Sequence, residues 1–556
     1  MPHLKGSRIF LETLKQEGVD CIFGNPGTTE LPLMDELGLD NEIKYVLGLQ
    51  EAGVMAMADG YAQASGRLAV ANFHAAPGLG NALGMLYNAQ RSNSPLLVTA
   101  GQHDLAFTLT EPVLWGDLAR IAQPFVKWSH EVGSITDLAR SVHRAAKVAT
   151  TAPMGPVFLS IPVNVLNDAT DVPLGAPTHI GRGIRGDRQS IAQAASLLVD
   201  AKNPVLIAGD AISQSDALNE VVALAELIGA PVYLEGAQNT ATFPSGHPQF
   251  MGTLGRLAPA LRSVLSKHDV LFSIGGDLFT LSLPDAVDPM PENLVVVHLD
   301  DDPWEIGKNY PTDVAILGNP KATLPELIED IARIATPAQK ARARERRSET
   351  ERAVSQLRAK LRDSQPQSAN ASPILPRHLM QVIADALSQE VIVVEETLSS
   401  RGRIRELLKS NLRDSFFGMR GGGIGWGISA AVGIKLARRE RPVVALIGDG
   451  SALYTCQSLW TAANERLGGL VFVILNNSSY RILKQRTREL GGHAAASGKY
   501  LAMDIDDPAI DYVALARTFG LSAQRVATLS DVPAALNSAL RADAPYLLEI
   551  MIDRSL

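Results

Sequence analysis

Cysteine is nearly missing: Cys21 and Cys456 are the only two in 556 residues. That usage excludes a disulfide framework and a thiolate zinc site, and it suits a reducing compartment. Long apolar runs are missing as well. No segment approaches the roughly 18 to 20 residues a membrane-spanning helix needs, and Met1 to Lys15 has no apolar core of the kind a secretion signal carries. The expectation is a cytoplasmic protein with no membrane partner. Basic excess is absent too, because 51 Lys and Arg face 59 Asp and Glu for a net charge of −8. With no extended positive face, nucleic acid is not an expected partner. The densest basic stretch, Gln339 to Arg362, mixes Arg with Glu and reads as a solvated helix.

What is present is length and alternation. A 46% hydrophobic fraction over this length builds several cores. Short apolar strands such as Leu68 to Phe73 and Leu96 to Ala100 alternate with helical stretches such as Ala52 to Ala64, the pattern of parallel βα units. A Pro-, Thr- and Gly-rich connection follows Asn167 and runs to Arg188. A second α/β block then carries strands Val205 to Ala208, Val232 to Leu234, Val270 to Ile274 and Leu294 to Leu299. The charged helix and the polar string Ser364 to Asn370 form a second linker. An internal echo relates Gly78-Leu79-Gly80, running through Ala89 to Pro95, with Gly423-Ile424-Gly425, running through Ala437 to Pro442.

The chemistry concentrates near the C-terminal end. Gly448-Asp449-Gly450 closes the apolar run Val443 to Ile447, and Asn476-Asn477 closes Leu470 to Leu475. Both polar side chains leave where strands finish, and open α/β sheets bind ligands there. The Asp449 carboxylate, the Asn477 amide oxygen and a loop carbonyl at Ser479 form a partial set of hard oxygen donors. That set suits Mg²⁺ bridging a diphosphate. Gly448 and Gly450 admit the backbone close to phosphates, although ordinary strand-end turns use the same residue types.

This spacing resembles the diphosphate signature of thiamine diphosphate (ThDP) enzymes. Phe23-Gly24-Asn25-Pro26-Gly27, Leu49-Gln50-Glu51-Ala52 and Asp59-Gly60-Tyr61-Ala62 resemble the pyrimidine-binding domain of that superfamily. Phe73-His74-Ala75-Ala76-Pro77-Gly78, with Phe243-Pro244, His247-Pro248 and Phe250, is most similar to benzoylformate decarboxylases, in the group of pyruvate decarboxylases and acetohydroxyacid synthases. The resemblance covers nearly the whole chain. It implies three doubly wound parallel-sheet α/β domains: pyrimidine-binding over 1–170, central over 188–337, and diphosphate-binding over 371–556. It also implies a homotetramer of dimers with active sites across the subunit interface.

Carried over residue by residue, the resemblance puts Asn25, Pro26, Gly27 and Glu51 at the pyrimidine, with the Gly422 carbonyl accepting from its amino group. Ile424 becomes the bulky wedge that bends the cofactor. Leu398, Ser399, Gly448, Asp449, Gly450, Ser451, Asn477, Ser479 and Tyr480 hold the diphosphate, with Asp449, Asn477 and Ser479 on the metal. Thr28, His74, Ser282, Ile482 and Arg486 line the substrate pocket. Glu51, at a helix start expected to have little polar company, would share a proton with the pyrimidine ring and so generate the C2 ylid. Addition to a 2-oxo acid and loss of CO₂ then give an enamine, the cofactor being the electron sink. His74 is the implied proton-transfer group and Thr28 a contact to the substrate carboxylate; their local alternatives are a structural histidine and a helix cap.

One departure stands out, because Ser282 aligns with a second active-site histidine of the decarboxylase. Without it, capture of the intermediate by another carbonyl, as in acetolactate synthases, is the alternative to decarboxylation. Many such relatives carry FAD, but residues 190 to 335 hold no decisive flavin signature. Lys484 and Arg486 add positive charge beside the pocket and suggest an acidic substrate. A relative that binds the cofactor without turnover is the third reading.

Overall fold

The computed structural model describes residues 3–362, 368, 370, 372–400 and 402–555. Most of the polar string from Ser364 to Asn370, and residue 371 at the expected start of the third domain, lie outside the described residues.

Among the described residues, three six-stranded parallel sheets form the fold, beside a short antiparallel pairing of Leu4–Lys5 with Ala169–Thr170. Strands β1 (Cys21–Gly24), β2 (Lys44–Leu47), β3 (Ala69–His74), β4 (Leu96–Gln102), β5 (Ser129–Glu131) and β6 (Val157–Pro162) are ordered β2-β1-β3-β4-β6-β5. The central sheet comprises β7 (Pro204–Ala208), β8 (Val232–Leu234), β9 (Phe250–Thr253), β10 (Val270–Ile274), β11 (Val295–Asp300) and β12 (Val314–Leu317), ordered β9-β8-β7-β10-β11-β12. In the third, β13 (Ile392–Glu396), β14 (Phe416–Gly418), β15 (Val443–Gly448), β16 (Leu470–Asn476), β17 (Ser522–Val526) and β18 (Tyr546–Met551) run β14-β13-β15-β16-β18-β17. The middle strands are Val-, Leu- and Ile-rich and buried along their length, as strands covered by helices on both faces must be. The fold is the expected doubly wound α/β type.

The first and third sheets share one strand order, so the internal echo is real in topology but falls on the wrong helices. Helix α2 (Ala75–Arg91) joins the third and fourth strands of its sheet, whereas α4 (Trp426–Ala437) joins the second and third. The counterpart of α4 is α1 (Glu51–Ser65). The Gln50 side chain caps α1 by accepting from the Gly53 N–H at 3.0 Å, and left-handed Gly66 ends it at φ +68°. Small residues let α1 and α4 cross almost backbone to backbone: a Cβ on Gly433 would lie 1.9 Å from the Met57 carbonyl oxygen, and one on Gly60 2.4 Å from that of Ala430. Asp59, buried on α1, accepts from the Trp426 indole at 2.7 Å and closes the crossing.

Helix α3 (Pro337–Arg362) is largely solvated, as expected, with only Ala343, Thr350 and Val354 buried, and two of its arginines fasten it to the central domain. Arg346 donates to the Ile228 carbonyl at 2.6 Å and Arg358 to that of Ser245 at 2.7 Å. No helix among the described residues is long and apolar enough to cross a membrane.

Candidate active site

In the C-terminal domain, Gly448 pairs with Leu475, so β15 and β16 end level and release Asp449 and Asn477 side by side. Asp449 Oδ2 accepts from the Asn477 N–H at 3.2 Å. Burial pushes the Asp449 carboxyl up to about 6, against the pull of four backbone N–H groups from Gly450, Ser478, Asn477 and Ser479. Asn477 Oδ1 is buried without a hydrogen-bond partner. A buried carbonyl without a partner beside a desolvated carboxylate is a donor pair suited to a cation, so the residues fit Mg²⁺. Ser479 Oγ is spent on the Met503 carbonyl at 3.1 Å, which leaves the backbone carbonyl of Ser479 for coordination.

The cleft above this pair is lined by Glu396 to Ser400, Ile424, Gly448 to Ser451, Asn477, and Ser479 to Ile482. Leu398 takes a left-handed backbone at φ +39°, a conformation costly for a branched side chain and characteristic of ligand-holding turns. Gly422 sits at φ +86° with open space around the position of a Cβ, and the half-buried Ile424 enters the cleft two residues later. A Cβ on Gly450 would strike the Tyr480 ring at 2.7 Å. Sequence reasoning missed Glu396, whose carboxylate accepts from the Gly425 N–H at 2.6 Å and from Gly427. Burial pushes it up to about 7. Also missed was Arg481, a cation lining the cleft whose Nε donates to the Ser555 carbonyl at 2.8 Å.

The N-terminal domain holds a separate cluster. Glu51 opens α1 half-buried, and its expected apolar isolation is corrected: Asn25 donates to Oε1 and Asn81 to Oε2, each at 3.1 Å. Two amides therefore fix the carboxylate plane. Pro26 follows Asn25, and Gly27 leaves room for imidazole, since a Cβ there would fall 2.1 Å from the His74 ring. His74 ends β3, and Ala75 turns at φ +48° to start α2. Its Nδ1 meets Thr29 Oγ1 at 2.9 Å and Glu30 Oε2 at 3.1 Å. Glu30, buried, also accepts from the N–H groups of Gly27 and Gly101 at 2.9 and 2.8 Å. The Glu30 hydrogen bond holds the His74 imidazolium above its ordinary value, against partial burial and helped by the charges of Glu30 and Glu51. With Nδ1–H committed to acceptors, Nε2 is the nitrogen left for chemistry.

Thr28 is exposed beside this cluster and makes no cap bond; Gly27 occupies the cap position. Ser282 lies in an exposed segment of the central domain, its N–H donating to the Arg256 carbonyl at 2.8 Å, and it does not line the cleft. The positive charge expected near the substrate is neutralised: Lys484 pairs with Asp504, and Arg486 with Glu489 at 2.6 Å. Arg486 does not line the cleft. None of Asn25, Glu51 or His74 does either, so the N-terminal cluster lies outside this cleft.

A carboxylate and imidazole on one doubly wound domain, and on another of identical strand order a cleft whose oxygen donors suit a metal-bridged diphosphate, form the arrangement expected of a thiamine-cofactor enzyme. The comparisons agree. Family models for the thiamine pyrophosphate (TPP) enzyme N-terminal TPP-binding, central and C-terminal TPP-binding domains match residues 4–115, 191–327 and 404–550. Benzoylformate decarboxylase of Pseudomonas aeruginosa is 32% identical over 97% of both chains. Acetolactate synthase of Arthrospira platensis is 28% identical over 99% of this chain and 94% of its own. Among solved structures, 4-hydroxybenzoylformate decarboxylase of Rhodococcus jostii superposes at TM-score 0.86 with 30% identity, covering 99% of this chain and 100% of that one. Benzoylformate decarboxylase of Polynucleobacter necessarius superposes at TM-score 0.88 with 28% identity over 99% of each chain. The chain belongs to the thiamine pyrophosphate enzyme family, whose members include decarboxylases and carboligases.

Proposed function

We propose that this enzyme is a ThDP- and Mg²⁺-dependent non-oxidative decarboxylase of a 2-oxo acid, with Asp449, Asn477 and Ser479 as metal ligands. The observation that carries the reading is His74, presented by a strained turn with its Nδ1 hydrogen-bonded to the buried Glu30, which favours the imidazolium. Such a group supplies the proton that a decarboxylation product needs. The bound cofactor supplies the electron sink for CO₂ loss. Glu51, held by Asn25 and Asn81, is aimed to share a proton with the pyrimidine ring. Ile424 supplies the bulk that bends the cofactor, Gly422 presents its carbonyl, and Leu398, Ser399, Gly448, Gly450, Ser451 and Tyr480 surround the diphosphate. Thr28 and Ile482 face the substrate.

Completion of the site requires a second copy of the chain. The segment after β4 exposes Phe107, Leu109 (95%) and Val113, and the C-terminal domain exposes Tyr454, Leu490 and Leu501 (92%). Apolar surface of this extent beside two incomplete half-sites fits self-association into dimers and a homotetramer. The pairing of Lys484 and Arg486 removes the argument for an acidic substrate side chain. Carboligation is the second reading, favoured by Ser282 aligning with the second active-site histidine of the decarboxylase, which leaves this chain without an imidazole at that point.

The test is a mass-spectrometric screen of 2-oxo acids, with and without an aldehyde acceptor, in ThDP and Mg²⁺. The expected result is CO₂ and the free aldehyde, and a Glu51→Gln variant that loses at least about 100-fold of this rate with parental melting. Ligated product alone would replace decarboxylation by carboligation. Unchanged CO₂ release by Glu51→Gln would remove the activation route.

A further inference from the structure

The central sheet has the strand order whose crevice binds dinucleotides, at the switch between its first and fourth strands, β7 and β10. Here that crevice is shut. Gly209 leaves β7 so close to β10 that a Cβ on it would lie 2.1 Å from the Gly275 carbonyl oxygen. Asp210 and Asp277, both 1% exposed, emerge on its two sides, and Glu235 follows β8 and accepts from the Asp277 N–H at 3.0 Å. The Asp210 and Asp277 carboxylates repel a diphosphate rather than hold one, and Glu235, which burial and Asp277 push toward its neutral form, adds no cation.

A cation from another domain fills the space. Arg420, at the end of the segment leaving β14, donates from Nη1 to Asp210 Oδ2 at 2.7 Å and brings Nη2 within 3.6 Å of Asp277 Oδ2. Its side chain is 9% exposed. Asp210 is itself fixed by the N–H and hydroxyl of Thr240, at 3.0 and 2.6 Å. One residue beyond Arg420 the chain enters Gly421 to Gly425, glycines apart from Ile424 and without side-chain anchors of their own. Asn88 grips that loop from the N-terminal domain, through Nδ2 to the Gly423 carbonyl at 2.8 Å and Oδ1 to its N–H at 3.0 Å. Arg420 is therefore the tether on the central-domain side of the loop.

We infer that Arg420 is a positioning residue for the Gly421–Gly425 cofactor loop, and that the central crevice is its socket instead of a nucleotide site. The inference rests on the cofactor reading above. A guanidinium fork spans two carboxylates; an ammonium reaches one. Arg420→Lys thus keeps the charge and loses the span.

The experiment compares the parent with Arg420→Lys by amide hydrogen exchange over 421–425, calorimetry with ThDP and Mg²⁺, and steady-state kinetics. Exchange about tenfold faster, ThDP binding about tenfold weaker and an unchanged KM for the 2-oxo acid are expected from loss of one arm of a buried ion-pair fork. Parental exchange and ThDP affinity in the variant would overturn the role of Arg420 alone. Should Arg420→Lys fail to fold, Asp277→Asn retains the Asp210 arm and is expected to show the same changes in smaller measure; parental values there overturn it equally. Saturable binding of ADP or FAD by the parent would overturn the socket. A parent that takes up no ThDP would overturn the cofactor reading, and the inference with it.

Discussion

Gly433→Ala tests the crossing of α1 and α4, which sets where Glu51 and Ile424 stand. The added carbon would lie 1.9 Å from the Met57 carbonyl oxygen. A relaxed carbon-to-carbonyl-oxygen contact needs about 3.3 Å, so the two helices must part by roughly 1.4 Å or the backbone must bend. Overpacking a close-packed interior costs about 1–3 kcal/mol, and here the obstacle is backbone, so about 3 kcal/mol is the working figure. Alanine returns about 1 kcal/mol of helix propensity. The net loss of about 2 kcal/mol lowers a thermal midpoint by about 4–8 °C. A displacement of about 1 Å between reacting groups costs about 100-fold in rate. Thermal melts of the metal-free protein and CO₂ release with ThDP and Mg²⁺ read both effects. Gly133→Ala, where a Cβ meets open space, is the control. If Gly433→Ala melts and turns over like that control, the close crossing does not set the site.

Two further outcomes follow from charge. Glu30→Gln removes the first cause of the raised His74 value, so the pH at which activity falls on the alkaline side should move down; the stability that protonated His74 contributes is present at low pH and lost as pH rises through its folded value, and a pH–rate profile identical to the parent's would refute the coupling. Because burial holds the Asp449 carboxyl up to about 6, protons compete with Mg²⁺ below that pH, while the metal-free fold loses the contribution of this group as pH rises through the same range. Apparent Mg²⁺ affinity at saturating ThDP should be about tenfold weaker at pH 5 than at pH 7, beyond the change free ThDP shows for the metal, and a flat response would remove Asp449 as a ligand.

Strand ends were legible because parallel strands buried on both faces write themselves as apolar runs with an abrupt polar stop, as at Ile447 to Asp449. Short or half-polar strands such as Ser129–Glu131 and Phe250–Thr253 carry no such run. Glu396 escaped notice because a charged residue inside a strand reads as its end, yet two glycine N–H groups stabilise it there. The His74 partner was hidden by distance: Glu30 lies 44 residues away and shares a turn whose sequence reads as a helix cap. Lys484 and Arg486 misled in the opposite sense, since composition shows a charge and not its partner. The repeat was misassigned for a related reason. Glycine, small-residue helix and proline are syntax that any βα unit can use, while the true equivalence of α1 and α4 appears only in strand order.

The hydrogen bond between Asp59 and Trp426 joins residues 367 positions apart. At a synthesis rate of about 5–20 residues per second, roughly 20–70 s pass between the emergence of one and of the other. During that time the face of α1 that α4 crosses, along Gly53, Met57 and Gly60, is without its cover. The nascent N-terminal domain is thus born with a sticky face, and the wait for its own C-terminal third is a window in which a chaperone, or a neighbouring ribosome's product, competes for the same helix.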